Sequence, residues 1–180
     1  AEQGGVPRPD GALAFTGCGA GFECAELDVP IDEDHPGAGS FALPVLRVRA
    51  GRPEERIGVL LVNPGGPGGS GAGLAEAAPR FFPPDVLARF DVVGLDLPGT
   101  AGSPPAVDCI DDLGPFIALD LSPDTAAERH ALPDADRALA AARQARRGDV
   151  LPFVGTDRAT RDLDRLRDAL GDDSVSHLGY

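Results

Sequence analysis

Apolar residues along the chain follow two patterns, alternation over short stretches and spacing by three or four over longer ones. Alternation, or a short apolar run bounded by turn residues, is typical of strands, and the wider spacing is typical of helices. The pattern predicts strands at 24–30, 41–50, 57–63, 90–96 and 174–180. It predicts helices at 72–79, at about 134–147, and from a cap at Thr156 and Asp157 to a stop at Gly171.

The first two strands are separated by the polar turn Asp32–Gly37, so we expect them to pair as an antiparallel hairpin. The later strands are continuous apolar runs separated by helical stretches, which is typical of parallel strands covered on both faces. The sequence therefore predicts an α/β fold with a mostly parallel sheet, an N-terminal antiparallel hairpin and helices on both faces. Residues 1–180 form one domain in this interpretation, with a loose arm at 1–17 and a surface insertion at 101–155.

The third predicted strand runs directly into the loop NPGGPGGSG, at residues 63–71. Its glycines permit positive φ and let a ligand approach backbone N–H groups, while Pro64 and Pro67 stiffen the turn. Such a loop suits a phosphate, or the oxyanion that forms when a carbonyl is attacked. A dinucleotide loop is an alternative, because Gly66–Gly71 fits G-x-G-x-x-G and Asp96 ends the next strand, but the short helix argues against it. A purely structural turn is a further alternative.

Composition excludes several classes of partner. A net charge of −13 argues against binding to nucleic acid or anionic membranes, and no apolar stretch approaches the roughly 20 residues of a membrane span. His35 lies among carboxylates, but the following Pro-Gly favours a solvated turn, so we expect no metal and no cofactor. We expect His177 to lie on a strand face and His130 on the insertion, and neither to be a catalyst.

Three cysteines bear on the compartment of the protein. Cys18 and Cys24 flank a short glycine-rich segment that a disulfide could close, which leaves Cys109 free or paired outside the chain. The alternative is three reduced thiols in a cytoplasmic protein. The chain begins with Ala1, as it would after processing of a secreted protein or removal of a tag. We therefore expect an extracytoplasmic location, with a cytoplasmic one as the alternative.

Several separated motifs occur in a characteristic order: CAELDVP, NPGGPGGSG, FDVVGLD, RDLDRLRDALG and HLGY. This order resembles the N-terminal half of α/β-hydrolases of the tripeptidyl aminopeptidase and proline iminopeptidase group, over nearly the whole chain. The resemblance implies a serine hydrolase that acts through an acyl-enzyme on a peptide or small-molecule acyl substrate. A peptidase that releases N-terminal residues is the leading interpretation, with no cofactor.

The resemblance also assigns roles within the glycine-rich loop. The backbone of Gly66, with Gly65, would form the oxyanion hole, and the rest of the loop is Asn63, Pro64, Pro67 and Gly68. None of the catalytic triad lies in the chain, because the family's serine would follow Tyr180. Pro98 stands where relatives usually carry arginine, and Ala101–Ser103 stands where they carry Gly-Arg-Ser. An esterase or lactonase acting on a specialised metabolite, and a non-catalytic binding module, are therefore alternatives.

An end directly after Tyr180 would fall inside a central strand of the expected sheet. We therefore expect a second polypeptide that supplies the C-terminal half of the fold. A serine after Tyr180 could attack the Tyr180 carbonyl in an N-to-O acyl shift, and hydrolysis of the ester would leave a self-cleaved heterodimer with Tyr180 at the junction. Ordinary proteolysis, a truncated piece and a break in how the chain is recorded are the alternatives.

Overall fold

A computed structural model describes residues 12–66, 68–105 and 110–180. Within these ranges six strands form one sheet, in the order β1-β2-β3-β5-β4-β6. The strands are β1 (Thr16–Gly17), β2 (Glu23–Pro30), β3 (Ser40–Val48), β4 (Gly58–Asn63), β5 (Phe90–Leu95) and β6 (Val175–Gly179). The predictions for the first part of the arm, for Pro67 and for Cys109 fall outside the described residues.

The sheet is mixed. β1, β2, β3 and β5 pair antiparallel in that order, whereas β4 pairs parallel with β5 on one side and with β6 on the other. Leu61 of β4 lies opposite Val93 of β5 and His177 of β6, so the three strands are in close register. The α/β class and the N-terminal antiparallel hairpin are confirmed, and the parallel pairing is centred on β4.

Five helices connect or follow the strands in the described ranges. They are α1 (Gly71–Phe81), α2 (Pro84–Arg89), α3 (Gly114–Ile117), α4 (Ala126–Arg147) and α5 (Thr156–Leu170). α2 was not predicted, although Pro84 at its first position is a typical helix start.

Two helix starts differ from the prediction. α4 starts at Ala126, ahead of Pro133, because the Thr125 hydroxyl accepts a hydrogen bond from the Glu128 N–H while the Glu128 carboxylate accepts one from the Thr125 N–H. The predicted cap at Thr156 is wrong, since Gly155 is the N-cap of α5 and no side chain caps it.

Apolar side chains form one cluster on each face of the sheet. On one face Leu43, Val45 and Val93 pack with Leu166 of α5, and on the other Val62 and Val92 pack with Ala75 and Ala78 of α1. α1 and α5 therefore cover opposite faces, as predicted. Burying each large apolar side chain stabilises the fold by roughly 1.5–3 kcal/mol, so these two layers fix the helices that flank β4.

The N-terminal arm is not loose in its described part. Leu13 is buried in the α5-side cluster and its N–H donates to the Ala169 carbonyl of α5. Cys18 and Cys24 form a disulfide with a Cα separation of 5.7 Å, next to the pairing of Thr16 with Cys24. The arm is therefore tied both to the edge of the sheet and to a helix.

The turn between β2 and β3 is tied to α5 by a cluster of charged side chains. We call it the Glu33 cluster; it consists of Glu33, Arg158, Arg161, Asp162 and Arg165. The Glu33 carboxylate accepts hydrogen bonds from Arg161 and Arg165. The prediction of a merely solvated turn is therefore wrong at Glu33, because its side chain reaches a helix 128 positions further along the chain.

Two carboxylates in the Glu33 cluster have pKa values shifted in opposite directions. Hydrogen bonds from Arg165 and Arg161 lower the pKa of Glu33 below the ordinary value of 4.5. Burial raises the pKa of Asp162, which is fully buried, against the opposing effect of Arg158 and Arg165. The ionised form of Glu33 therefore stabilises the folded state. The ionised form of Asp162 carries a free-energy cost of burial, which the neighbouring arginines offset only in part.

We predict that Glu33→Gln lowers the melting temperature at neutral pH and that this difference shrinks as the pH falls. A lowered folded-state pKa means that Glu33 contributes stability above 4.5, and that this contribution is lost as the pH falls through the folded-state value. Calorimetry of wild type and variant across this range measures the effect. Glu54→Gln, at an exposed carboxylate in the turn Pro53–Glu55, is the control. A temperature gap that does not change with pH would contradict the assignment.

Candidate active site

The glycine-rich loop leaves β4 at the carboxyl end of the parallel strands. α/β sheets bind their ligands at this edge. Asn63, the last residue of β4, lies opposite Gly179 of β6, and its carbonyl accepts a hydrogen bond from the Tyr180 N–H at 3.3 Å. The start of the loop and the end of β6 are therefore neighbours.

Hydrogen bonds within the loop fold it back on itself. The Asn63 side-chain oxygen accepts from the Gly65 N–H at 2.8 Å, and the Gly65 carbonyl accepts from the Gly69 N–H at 3.0 Å. Gly65 and Gly66 have φ of +70° and +129°, and Gly68 has +96°. These left-handed conformations favour glycine, and they explain why the strand pattern breaks into glycines after Asn63.

The loop also approaches the end of β6 more closely than any side chain would allow. A Cβ atom at Gly65 would lie 2.3 Å from the Tyr180 carbonyl oxygen. Gly66 is exposed beside this contact, and within the described part of the chain its N–H donates to no acceptor. The Gly66 N–H is therefore among the backbone donors of the loop that have no acceptor within the described residues, and it directly follows the residue that contacts Tyr180.

The far end of the loop is held by two residues that the sequence analysis did not assign to the site. The Ser70 hydroxyl caps α1, because it accepts from the Gly73 N–H at 2.8 Å, and it donates to the Asp96 carboxylate at 2.8 Å. The same carboxylate oxygen of Asp96 accepts from the Ala72 N–H at 3.1 Å. A serine directly before a helix is a recognisable cap signal, but its partner on another strand is visible only in the structure.

This placement of Asp96 argues against the dinucleotide alternative. Asp96 is only 6% exposed, and one of its oxygens is already shared by Ser70 and Ala72. A ribose-binding acid must present its carboxylate to the ligand. Asp96 instead faces the first turn of α1, where a negative charge stabilises the helix.

Backbone contact between α1 and β5 fixes the direction of the loop. A Cβ atom at Gly94 would lie 1.9 Å from the Gly71 carbonyl oxygen, and one at Gly71 would lie 2.3 Å from the Leu95 carbonyl oxygen. The start of α1 therefore rests directly on the backbone of β5. Only glycine fits at these two positions.

The remaining candidate residues lie away from the loop or on other elements. His177 is exposed on β6 and His130 is exposed on α4. Pro98 lines a cavity of about 280 Å³ together with Thr100, Phe153 and Arg158, beside the start of α5. Over the ranges that the structure describes, no three His, Cys, Asp or Glu side chains are grouped as metal ligands would be. In the same ranges, no helix has the length and apolar character needed to cross a bilayer.

Comparison with protein families identifies the class of fold. Residues 58–180 match the family described as alpha/beta hydrolase fold, which includes β4, the loop, α1, β5, α5 and β6. The chain belongs to this family.

Three individual relatives show which enzymes of this family the chain is similar to. The chain is 36% identical over 180 residues to the serine protease Hip1 of Mycobacterium tuberculosis, an alignment that covers 97% of this chain and 32% of the relative. It is 40% identical over 154 residues to the carboxylesterase B of the same species, covering 81% and 28%. It is 32% identical over 163 residues to the tripeptidyl aminopeptidase of Streptomyces lividans, covering 88% and 30%. The chain thus spans about a third of the length of these relatives.

We predict that Gly94→Ala strongly destabilises the protein. The new methyl group would overlap the Gly71 carbonyl, so either α1 or β5 must move, at a cost of about 3 kcal/mol or more. Thermal unfolding of the purified protein measures this loss. Gly102→Ala is the matched control, because nothing lies within 4 Å of the added methyl group and a change within about 0.5 kcal/mol is expected. Equal stability of the two variants would show that the close contact is not present in solution.

Proposed function

We propose that this chain forms the oxyanion-loop part of a serine hydrolase that acts through an acyl-enzyme and releases N-terminal residues from peptides. The observation that carries the proposal is the contact of Gly65 with the Tyr180 carbonyl, directly before Gly66, an exposed residue whose N–H has no acceptor among the residues that the structure describes. Membership of the alpha/beta hydrolase fold family supports it, as does the similarity to a serine protease and a tripeptidyl aminopeptidase.

In this mechanism the nucleophile is a serine directly after Tyr180. Its hydroxyl oxygen attacks the substrate carbonyl carbon, a base takes the hydroxyl proton, and the carbonyl oxygen becomes an oxyanion. The Gly66 N–H and the N–H of the residue after the serine donate hydrogen bonds to that oxygen. Both donors belong to backbone held by the sheet, so they require little rearrangement as the charge develops.

The remaining catalytic groups are proposed to lie in the region that completes the sheet beyond β6. β6 pairs with β4 on one side, and three of its five residues are exposed, in the pattern expected of an edge strand. The matched relatives are about three times longer than this chain, which leaves room for such a region. A second polypeptide or a longer form of the same chain could supply it.

An esterase is the second candidate. The similarity to a carboxylesterase extends over 154 residues and includes the whole loop region of this chain. Acyl transfer to water uses the same oxyanion donors whether the leaving group is an amine or an alcohol, so the loop itself does not discriminate. Turnover of a peptide anilide with a free N-terminus, but not of its N-acetylated form, supports the aminopeptidase. Turnover of p-nitrophenyl esters alone supports the esterase.

We predict that a fluorophosphonate probe labels the serine after Tyr180 in the complete protein, and that Gly66→Ala slows turnover. The substitution places a methyl group 3.1 Å from the Gly69 nitrogen at a φ of +129°, so the loop must change shape and the donor must turn. We expect kcat to fall about 100-fold with little change in KM, because the donor acts on the oxyanion more than on the substrate.

The control for Gly66→Ala is Gly39→Ala, measured in the same assays. Gly39 also has a left-handed φ, of +100°, but it lies in the turn between β2 and β3. Backbone strain alone should lower stability in both variants and kcat in neither. Normal turnover by a folded Gly66→Ala variant would refute the oxyanion role, and absence of labelling would favour a non-catalytic binding module.

We propose an extracytoplasmic location on the basis of the pairing of Cys18 with Cys24. Structural disulfides persist in oxidising compartments and are rare in the cytosol of mesophiles. The expected result of peptide mapping without reductant is a cross-linked peptide that contains both cysteines. Free thiols at both positions in freshly isolated protein would remove the basis for this location.

A further inference from the structure

We propose that Asp96 and Ser70 are positioning residues that set the direction of the Gly66 N–H, an inference that rests on the proposed oxyanion role of Gly66. Neither residue belongs to the loop's predicted donor set. Both act from the far end of the loop, where it becomes α1. Side-chain hydrogen bonds fix this end of the loop, as the Asn63 side chain fixes its start.

The loop is held at two places that lie on different strands. At its start the Asn63 side chain accepts from the Gly65 N–H, and β6 fixes the Asn63 carbonyl through Tyr180. At its end Ser70 is joined to Asp96, which directly follows β5. The donor at Gly66 lies between these two attachments, so its direction depends on both.

Asp96 is itself held rigidly. Its N–H donates to the Pro44 carbonyl of β3 at 3.1 Å, and its carboxylate oxygen receives both the Ser70 hydroxyl and the Ala72 N–H. The residue is 6% exposed, so water competes little for these hydrogen bonds. Because Ser70 also accepts from Gly73, the hydroxyl is fixed as donor to one side and acceptor to the other.

Loss of the Asp96 carboxylate would release the end of the loop without removing any group that touches the substrate. Ser70 would lose its acceptor and could rotate, and the first turn of α1 would keep only its cap. A displacement of about 1 Å at a reacting centre lowers rates by about 100-fold. The effect should therefore appear in kcat, while KM for the substrate stays nearly unchanged.

The test compares Asp96→Ala, Asp96→Asn and Ser70→Thr in the complete protein, with active sites counted by fluorophosphonate labelling. We expect Asp96→Ala to lower kcat per labelled site about 10- to 100-fold, with KM changed less than about twofold. Asparagine retains an acceptor oxygen and threonine retains the capping hydroxyl, so both should stay within about threefold of wild type. Affinity for a boronic acid that forms a tetrahedral adduct should fall in parallel with kcat.

Asp91→Ala is the matched structural control. Asp91, like Asp96, is a buried carboxylate that accepts a backbone N–H, in this case that of Ala50 at 2.8 Å, but Asp91 lies near the start of β5 whereas Asp96 follows its end. Its loss should lower stability and leave kcat per labelled site unchanged. Should Asp91→Ala lower kcat as much as Asp96→Ala does, the effect is general destabilisation and the positioning role is wrong.

A double variant separates this inference from the proposed function. If Asp96 acts through Gly66, adding Asp96→Ala to Gly66→Ala should lower kcat by much less than it does alone. Full additivity, or a single Asp96→Ala variant with kcat within threefold of wild type, would overturn the positioning role while leaving the oxyanion role of Gly66 intact. Failure of Gly66→Ala to slow turnover, or of the probe to label the protein, would overturn both.

Discussion

The parallel pairing of β4 with strands on both sides is the constraint on which the rest of the structure depends. Because β5 and β6 run in the same direction as β4, all three deliver their carboxyl ends to one edge of the sheet. The glycine-rich loop, the buried Asp96 and the residue after β6 therefore lie at the same edge. An antiparallel neighbour on either side would have sent one of these groups to the opposite edge.

Contact between backbones, more than between side chains, determines the shape of that edge. Gly71 and Gly94 let α1 rest directly on β5, and Gly65 lets the loop meet the Tyr180 carbonyl. At each contact, glycine lets two backbones approach each other where a side chain would otherwise separate them. The fold loses the apolar burial of that side chain, but backbone N–H groups can lie close to the neighbouring element. The proposed oxyanion site, whose donors are backbone N–H groups, requires this exchange. The apolar clusters on the two faces of the sheet hold α1 and the strands to which the loop is attached.

The elements that could be predicted from the sequence are those whose conformation is determined by residues close together in the chain. The apolar run before Asn63, the spacing from Leu163 to Leu170 and the glycines of the loop each specify their own conformation, and the predicted strands and α5 follow them closely. β3 ends at Val48, before the predicted end at residue 50, because the Ala50 N–H donates to the Asp91 side chain on another strand. The roles of Asp96 and Glu33 were not predicted for the same reason: their partners, Ser70 and the arginines of α5, are distant in sequence. The spacing of apolar residues along the chain does not indicate contacts between residues that are far apart in sequence.

The two carboxylates of the Glu33 cluster differ in the same way: Asp162 has its arginine partners on its own helix, whereas Glu33 has its partners far along the chain. Asp162 is fully buried between Arg158 and Arg165, and burial raises its pKa because the neighbouring arginines offset only part of the lost hydration. Glu33 lies at the outer side of the same arginines and gains from them without comparable burial. One carboxylate thus limits the stability of the cluster while the other supplies it. Since the cluster joins the β2–β3 turn to α5, this balance affects how firmly α5 is held against the first part of the chain.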